Sequence, residues 1–306
     1  MVIGYAKGTD VARTTPYFAT NEEEAQNLTW NPFCTNNLVK YLLDFRFEDT
    51  KLAVVVKGCD SKGINRLIYD RQFPRERVVV LGVPCGGLLD RSKVLATIDP
   101  GAELQSVEDL GQEFVVRTDH GEFTFAKEQY LLPKCAVCRN PNPVISDVLL
   151  GEELPVAEEE KSDTFDDIVE MEALDPAAKS AFWDRHFNRC LRCYACRNVC
   201  PACNCRECAF EQAVPGWQQE ACWLSKKASV DNNYTFHLIR MFDVTGRCID
   251  CGECERVCPV NIPLRKLYRK VIKDVQELFG DTTPGLNIGD GLPLTSYRKE
   301  DPEEFM

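Results

Sequence analysis

Cysteine is the residue type that dominates the chemistry open to this 306-residue chain, which contains seventeen of them. Two stretches repeat the spacing C-x2-C-x2-C-x3-C-P. They consist of Cys190, Cys193, Cys196 and Cys200 before Pro201, and of Cys248, Cys251, Cys254 and Cys258 before Pro259. Three thiolates at such short intervals let one loop wrap three corners of an iron-sulfur cube, whereas structural zinc, the alternative, needs only pairs of cysteines. The repeat predicts two [4Fe-4S] clusters.

This spacing resembles that of bacterial two-cluster ferredoxins over residues 190–263, with an insertion of nearly fifty residues between the motifs. In such proteins the fourth cysteine of each motif ligates the cluster of the other motif. The resemblance implies one cluster on Cys190, Cys193, Cys196 and Cys258, and a second on Cys248, Cys251, Cys254 and Cys200. It also implies an α+β ferredoxin-like domain that transfers single electrons.

Seven arginines lie close to these motifs in the sequence: Arg189, Arg192, Arg197, Arg206, Arg240, Arg247 and Arg256. A cubane with four thiolate ligands is negatively charged, so nearby cations raise its reduction potential. The same side chains can also cover a surface on which a partner docks. Both roles stay open at this point.

Four further cysteines are not needed by a two-cluster ferredoxin: Cys203, Cys205, Cys208 and Cys222. Their number predicts a possible fourth metal site, either an additional iron-sulfur cluster or zinc. The alternative is that they are buried or spare thiols beside the clusters.

The first half of the chain has a smaller group of cysteines on a predicted α/β scaffold. The segment KLAVVVKG at 51–58 predicts a buried strand, SKGINRLIYDRQF predicts a helix, and RVVVLGVPCGG predicts a second strand that ends in a glycine-rich loop. Loops that follow parallel strands meet at one edge of a sheet, where α/β proteins place ligands. The cysteines are Cys59, Cys85, Cys135 and Cys138. They predict a third [4Fe-4S] cluster.

The segments KGCDSKGINRL, VPCGG and KCAVCRNPNPVISDVLLG, within residues 50–151, resemble the beta subunits of coenzyme F420-reducing hydrogenases and F420-dependent formate dehydrogenases. The resemblance implies a flavin-type α/β domain with a mixed sheet that binds FAD beside the third cluster. The residues implied to face the flavin are Lys57, Gly58, Gly82, Gly86 and Gly87. A tight turn without a ligand is the alternative for VPCGG, since the chain has no G-x-G-x-x-G fingerprint.

Composition divides the chain into four predicted parts. Residues 1–150 form the α/β domain, and residues 151–175, with eleven acidic residues and one lysine, form an acidic linker. Residues 176–275 form the ferredoxin-like domain, which Asp175 and Pro176 introduce by starting a helix. Residues 276–306 form an extended tail. A hairpin is predicted around His120, and Cys34 is predicted to be a buried small hydrophobe rather than a ligand.

Charge and motif content exclude several functions. The net charge of -12 argues against nucleic acid as a partner. No apolar run approaches the roughly 18 to 20 residues of a membrane span, and the first residues lack the apolar core of a secretory signal, so a cytoplasmic location without a membrane span is expected. Motifs for hydrolysis or phosphoryl transfer are missing from the sequence.

These features predict an electron-transfer subunit of an anaerobic oxidoreductase complex that contains iron-sulfur clusters and FAD. The resemblance implies partner subunits of the hydrogenase, formate dehydrogenase or heterodisulfide-reductase-like kind. One alternative is a catalytic FAD subunit that itself oxidises or reduces coenzyme F420 or a nicotinamide. The other is a flavin-free relay or assembly module.

Overall fold

The structure, a computed structural model, describes residues 1–99, 101–156, 164–211, 229–280 and 284–289. The chain divides into two compact units, residues 1–164 and 165–306. The division falls inside the acidic segment 151–175, part of which forms a helix at Asp166–Ala173. The boundaries predicted from composition stay predictions. Across the described ranges, no helix is both long and apolar enough to cross a membrane.

The first unit combines strands and short helices. Its strands, in chain order, are β1 (Val2–Lys7), β2 (Thr14–Ala19), β3 (Leu52–Val56), β4 (Val78–Gly82), β5 (Leu104–Asp109), β6 (Glu113–Thr118), β7 (Gly121–Ala126) and β8 (Val148–Leu149). Its helices are α1 (Glu22–Ala25), α2 (Gly58–Tyr69), α3 (Arg91–Leu95), α4 (Lys127–Tyr130) and α5 (Pro133–Ala136), with 3-10 turns at Val39–Phe45 and Arg75–Arg77.

The main sheet of the first unit is mixed, as the family resemblance implied. Its strand order is β2-β1-β3-β4-β8, in which only the β1–β2 pair is antiparallel. The β3-α2-β4 crossover confirms the predicted strand-helix-strand unit, with Leu52 opposite Val78 and Val56 opposite Gly82. Alternate valines of both strands point into one core, because side chains alternate across a strand. The loops that leave β3 and β4 therefore start at the same edge.

A second, antiparallel sheet contains β5, β6 and β7. The β6–β7 hairpin turns at Asp119 and His120 before Gly121, which confirms the predicted turn. Phe114 on β6 is fully buried and stacks on Phe125, with ring centroids 5.1 Å apart. This aromatic pair anchors the hairpin to its own small core.

The second unit is helical in its described ranges. Its helices are α6 (Asp166–Ala173), α7 (Pro176–Phe187), α8 (Ala195–Asn198), α9 (Val230–Asp243), α10 (Glu253–Arg256) and α11 (Leu264–Phe279). The predicted start of α7 is confirmed, because the Asp175 carboxylate accepts hydrogen bonds from the N–H groups of Ala177 and Ala178 at 2.9 and 3.0 Å.

The α+β architecture expected for this half is not confirmed, since residues 165–211, 229–280 and 284–289 contain helices and turns but no strand. Helices form the core of this unit. Helix α9 contacts both α7 and α11, and Phe187, Phe236 and Tyr268 pack among them. Helix α6 is fixed to α11 through Arg269, whose side chain is 2% exposed and contacts Asp167 at 3.3 Å. Part of the acidic segment is thus an ordered element of the second unit.

Candidate iron-sulfur centres

The first four-cysteine set surrounds a cavity with about 330 Å³ of space not occupied by protein atoms. Three of its cysteines come from the first motif and one from the second: Cys190, Cys193, Cys196 and Cys258. The loop bends because Arg192 and Tyr194 have left-handed backbones, with φ of 47° and 59°. The chain thereby folds the cysteines predicted to share a cluster around one space.

The second set lines a pocket with about 440 Å³ of space not occupied by protein atoms, part of it open to solvent, and consists of Cys200, Cys248, Cys251 and Cys254. Its loop repeats the bends of the first, with φ of 54° at Asp250 and 68° at Gly252. In both loops the left-handed positions fall two and four residues after the first cysteine, and a one-turn helix, α8 or α10, follows. The sequence repeat is therefore also a repeat of backbone conformation.

The donors around these cavities fit a cubane better than a single ion. No group of three or more Cys, His, Asp or Glu in the described part of the chain is arranged to hold one metal ion. A cubane takes one thiolate at each of its four irons, and each cavity is lined by four cysteines. Backbone N–H groups donate to two of the sulfurs, from Arg192 to Cys190 and from Ile262 to Cys258, both at 3.4 Å.

Burial makes these thiols poor acids without a metal. It raises the pKa of Cys190, Cys248 and Cys254, because a charged thiolate loses its solvation there. Cys200 differs: a hydrogen bond from the Cys203 side chain lowers the pKa of Cys200 and raises that of Cys203. Iron ions supply the positive charge that would stabilise all of these thiolates together.

Helix α9 lies in the insertion between the two motifs and contacts the ligand loops. The Asn233 side chain donates to the carbonyl oxygen of Cys190 at 3.1 Å, and His237 Nε2 lies 3.3 Å from Cys190 Sγ. Burial and the nearby Arg240 lower the pKa of His237 to about 3, so the imidazole is neutral. The His237 ring stacks on Phe187, with centroids 4.6 Å apart.

This contact of His237 was not predicted from the sequence. The residue is 1% exposed and faces a cysteine sulfur. A signal was present in the spacing: Asn233, His237 and Arg240 stand at i, i+4 and i+7, which places three polar side chains on one helix face.

The seven arginines divide by burial. Arg192 and Arg240 are buried, Arg189 and Arg206 are exposed, and the remaining three are partly buried. Two of the partly buried ones are neutralised by carboxylates, Arg197 by Glu211 and Arg256 by Glu253. Two different roles, tuning from inside and docking from outside, are thus available to different members of the group.

The third predicted set lies in the first unit, on the loops that follow its strands. Cys59 is in the first turn of α2, Cys85 follows β4, and Cys135 and Cys138 are in and after α5. Cys138 is close enough to the other three for their charges to interact. Burial raises the pKa of all three, to about 11 for Cys85, while the Lys57 cation opposes that rise.

Two of the residues implied to face a flavin contact protein atoms around β3 and α2. The Lys57 ammonium lies 2.6 Å from Asp60 and donates to Tyr5 Oη, 2.5 Å away, and to the carbonyl oxygens of Cys34 and Asn36. A Cβ on Gly58 would lie 1.8 Å from the carbonyl oxygen of Asn140. Protein atoms thus surround the Lys57 ammonium and occupy the space that a side chain on Gly58 would need.

The three glycines at the end of β4 differ in their surroundings. A Cβ on Gly82 would lie 2.8 Å from Ser146 Cβ, so close packing accounts for that glycine. Gly87 has a φ of 103°, which favours glycine, and a Cβ on Gly86 would approach Lys127 Nζ at 3.2 Å. The flavin contacts of Lys57, Gly58, Gly82, Gly86 and Gly87 stay predictions.

The extra cysteines do not form a group that resembles a metal site in the described residues. Cys203 is hydrogen-bonded to Cys200, Cys208 interacts with Arg197, and Cys205 is exposed. Cys222 lies outside the described residues. The fourth metal site stays a prediction. The expectation for Cys34 is confirmed in that its side chain is fully buried.

Two family models match the chain. Residues 49–203 match the family described as the C terminus of the coenzyme F420 hydrogenase/dehydrogenase beta subunit, and residues 186–262 match a 4Fe-4S dicluster domain. Together the matches cover every cysteine of the three predicted cluster sites.

Relatives align along most of the chain. The F420-dependent formate dehydrogenase subunit beta of Methanocaldococcus jannaschii is 23% identical over 91% of this chain and 86% of its own length. The F420-dependent formate dehydrogenase 1 subunit beta of Methanococcus maripaludis is 24% identical over 91% and 84%. A chain in a xenon-derivatised F420-reducing [NiFe] hydrogenase complex from Methanosarcina barkeri is 18% identical, with a TM-score of 0.37 over 45% of this chain and 53% of that chain.

Proposed function

We propose a function for this chain, which belongs to the coenzyme F420 hydrogenase/dehydrogenase beta-subunit family because the family model matches just over half of its length. The chain is an iron-sulfur electron-transfer subunit of an oxidoreductase complex. It carries electrons between an F420-linked carrier and a partner subunit of the hydrogenase or formate dehydrogenase kind. The relatives named above support the choice of carrier and partner.

The observation that carries this proposal is the crossing of cysteines between the two motifs. Each cavity of the second unit receives three cysteines from one motif and the fourth from the other. A [4Fe-4S] cluster bound in such a site takes up and releases one electron. Each site would hold its cluster with four thiolates, and the two sites are joined because each motif contributes cysteines to both.

The exposure of the ligands indicates which of the two clusters would exchange electrons with a docked partner. Cys193 in the first set is exposed, whereas Cys251 in the second set is buried. A partner that docks at Cys193 would approach the first cluster more closely than the second. The exposed side chain of Leu191 and the exposed Arg189 flank this point and would contact such a partner.

The first unit would hold the remaining redox centres. Cys59, Cys85, Cys135 and Cys138 would hold a third cluster, and the loop at Gly86 and Gly87 would lie against FAD. A flavin-free relay is the second candidate. It is favoured by the packing of Lys57, Gly58 and Gly82 against protein atoms.

Metal and flavin content of protein purified without oxygen tests the number of centres. Three filled sites correspond to about twelve iron and twelve sulfide per chain, and two sites to about eight. About one FAD per chain would support the flavin-containing relay, and iron without flavin would support the second candidate. A chain that binds zinc but neither iron nor sulfide would refute the electron-transfer function altogether.

Cysteine variants test the crossed ligand sets. Under the proposal, Cys258→Ser should remove the same electron paramagnetic resonance signal as Cys193→Ser and leave the signal that Cys251→Ser removes. Cys205→Ser is the matched control, because this exposed cysteine belongs to neither set and should leave both signals unchanged. If Cys258→Ser instead reproduced the spectrum of Cys251→Ser, the crossing would be wrong.

A further inference from the structure

Helix α9 presents a buried polar stripe to the ligand loops of the second unit. Asn233, His237 and Arg240 are 2%, 1% and 1% exposed, on a helix that begins and ends between the two cysteine motifs. Buried polar side chains are costly unless they have partners. The stripe therefore requires an explanation from the residues that it faces.

Arg240 reaches both cysteine sets. One terminal nitrogen, Nη2, donates to the carbonyl oxygen of Cys196 at 2.9 Å, and Cys196 belongs to the first set. The same side chain lines the cavity of the second set. The other terminal nitrogen, Nη1, donates to the Tyr268 hydroxyl, and the guanidinium lies 5.1 Å from the centre of that ring. These contacts fix the guanidinium between the two sites.

The charge of Arg240 is not neutralised by a carboxylate. Among the described residues it forms no ion pair, and its Nε is buried without a hydrogen-bond partner. Two other arginines near the second cavity do have carboxylates: Arg265 contacts Asp250 at 2.6 Å, and Arg256 contacts Glu253 at 2.7 Å. Arg240 thus differs from its neighbours in having only neutral groups and thiols around it.

Thiolates provide the missing negative charge. The Cys200, Cys203 and Cys196 thiols lie close enough to the Arg240 guanidinium for their charges to act on it. A fully buried cation without an anion is strongly destabilising, and a cubane with four thiolates is an anion of the required size. The positive charge of Arg240 and the negative charges of the two clusters would compensate one another.

We propose that Arg240 is a shared counter-ion of the two ferredoxin-type clusters and raises the reduction potential of both. His237 acts beside it on the first cluster alone. Since a thiolate can only accept a hydrogen bond, Nε2–H of His237 donates to Cys190. This inference rests on the proposed function, because it assumes that both cavities hold clusters.

Redox titration of each cluster, followed by electron paramagnetic resonance, tests the shared role. In Arg240→Met both clusters should become harder to reduce, with at least a tenfold fall in the reduced-to-oxidised ratio at a fixed potential, about 59 mV for one electron. In Arg240→Lys, which keeps the charge, less than half of that shift is expected. In His237→Gln only the first cluster should shift. Arg185→Met is the control, because this exposed arginine on α7 is screened by solvent and should change either ratio less than threefold.

Several outcomes overturn the inference. One is an Arg240→Met variant with both clusters present and both ratios unchanged, and another is a shift in one cluster only. If Arg240→Met does not retain its iron, the Arg240→Lys and Tyr268→Phe variants test the inference in its place. Both keep the cation, so a tenfold shift in either would show that the hydrogen bonds rather than the charge set the potentials. A wild-type chain without iron and sulfide would instead refute the proposed function, and this is seen before any titration.

Discussion

Gly58 is the position at which one added methyl group should separate two parts of the first unit. It lies at the first position of α2, and the segment after the C-x2-C pair of Cys135 and Cys138 crosses directly over it. In Gly58→Ala the new Cβ would lie 1.8 Å from the carbonyl oxygen of Asn140. That oxygen belongs to the backbone, so it cannot move without moving the segment.

The size of the effect follows from this distance. Cβ atoms essentially never come within 3.0 Å of such a neighbour, so the Asn140 carbonyl must retreat by about 1.2 Å. Overpacking of this kind costs roughly 1–3 kcal/mol. The movement also strains the hydrogen bond from the Val144 N–H to Ser61 Oγ, 2.9 Å long, which contributes about 1 kcal/mol. The total loss is about 2–4 kcal/mol, concentrated on the segment that carries Cys138.

Iron content and hydrogen exchange measure this loss. We expect Gly58→Ala to lose about four iron per chain, the content of one cubane, and to keep the two signals of the second unit. Amide exchange should increase in residues 138–146. Gly111→Ala is the matched control, because its Cβ would meet nothing within 4 Å and only its φ of 92° is unfavourable. A Gly58→Ala variant with full iron content and wild-type exchange would refute the close approach.

Three further predictions concern the ligand sets and the buried charges. Cys200→Ser should retain more iron than Cys258→Ser, because the thiol of Cys203 is hydrogen-bonded to Cys200 and can replace it; equal iron loss in the two variants would argue against this substitution. Asp60→Asn should destabilise the first unit by about 3–5 kcal/mol, because it leaves Lys57 buried without its anion, and faster amide exchange in β1 and β3 would show it. Removal of iron by a chelator should increase amide exchange in α9 more than in α1, and unchanged exchange in α9 would show that clusters do not support that helix.

Local patterns predicted the parts of the fold that depend on neighbours in the sequence. The valine runs of β3 and β4, the Asp175 cap and the hairpin at His120 were confirmed, because strand, cap and turn preferences act within a few residues. The cysteine repeat also indicated which thiols would surround one cavity. The mixed sheet followed from the parallel crossover together with β2, whose antiparallel pairing with β1 the sequence did not specify.

Features that depend on contacts between distant residues were not predictable. The hydrogen-bond partners of Lys57 include Tyr5 and the carbonyl of Asn36, which are far away in the sequence. Arg240 was one of seven arginines, and only the fold distinguishes it, by burying it against Tyr268 and the loop of Cys196. The helical character of the second unit likewise follows from how α9 and its neighbours pack rather than from the motifs.

The crossing of the cysteines also determines when the clusters can be inserted during synthesis. With the proposed ligands, a cluster on Cys190, Cys193 and Cys196 lacks its fourth thiolate until Cys258 has left the ribosome. The fourth ligand of the other cluster, Cys200, is made early and must wait for its three partners. Neither motif can complete its site alone, so maturation of both centres is deferred until about five-sixths of the chain exists. Truncated chains that end before residue 254 should therefore leave the ribosome without either complete cluster.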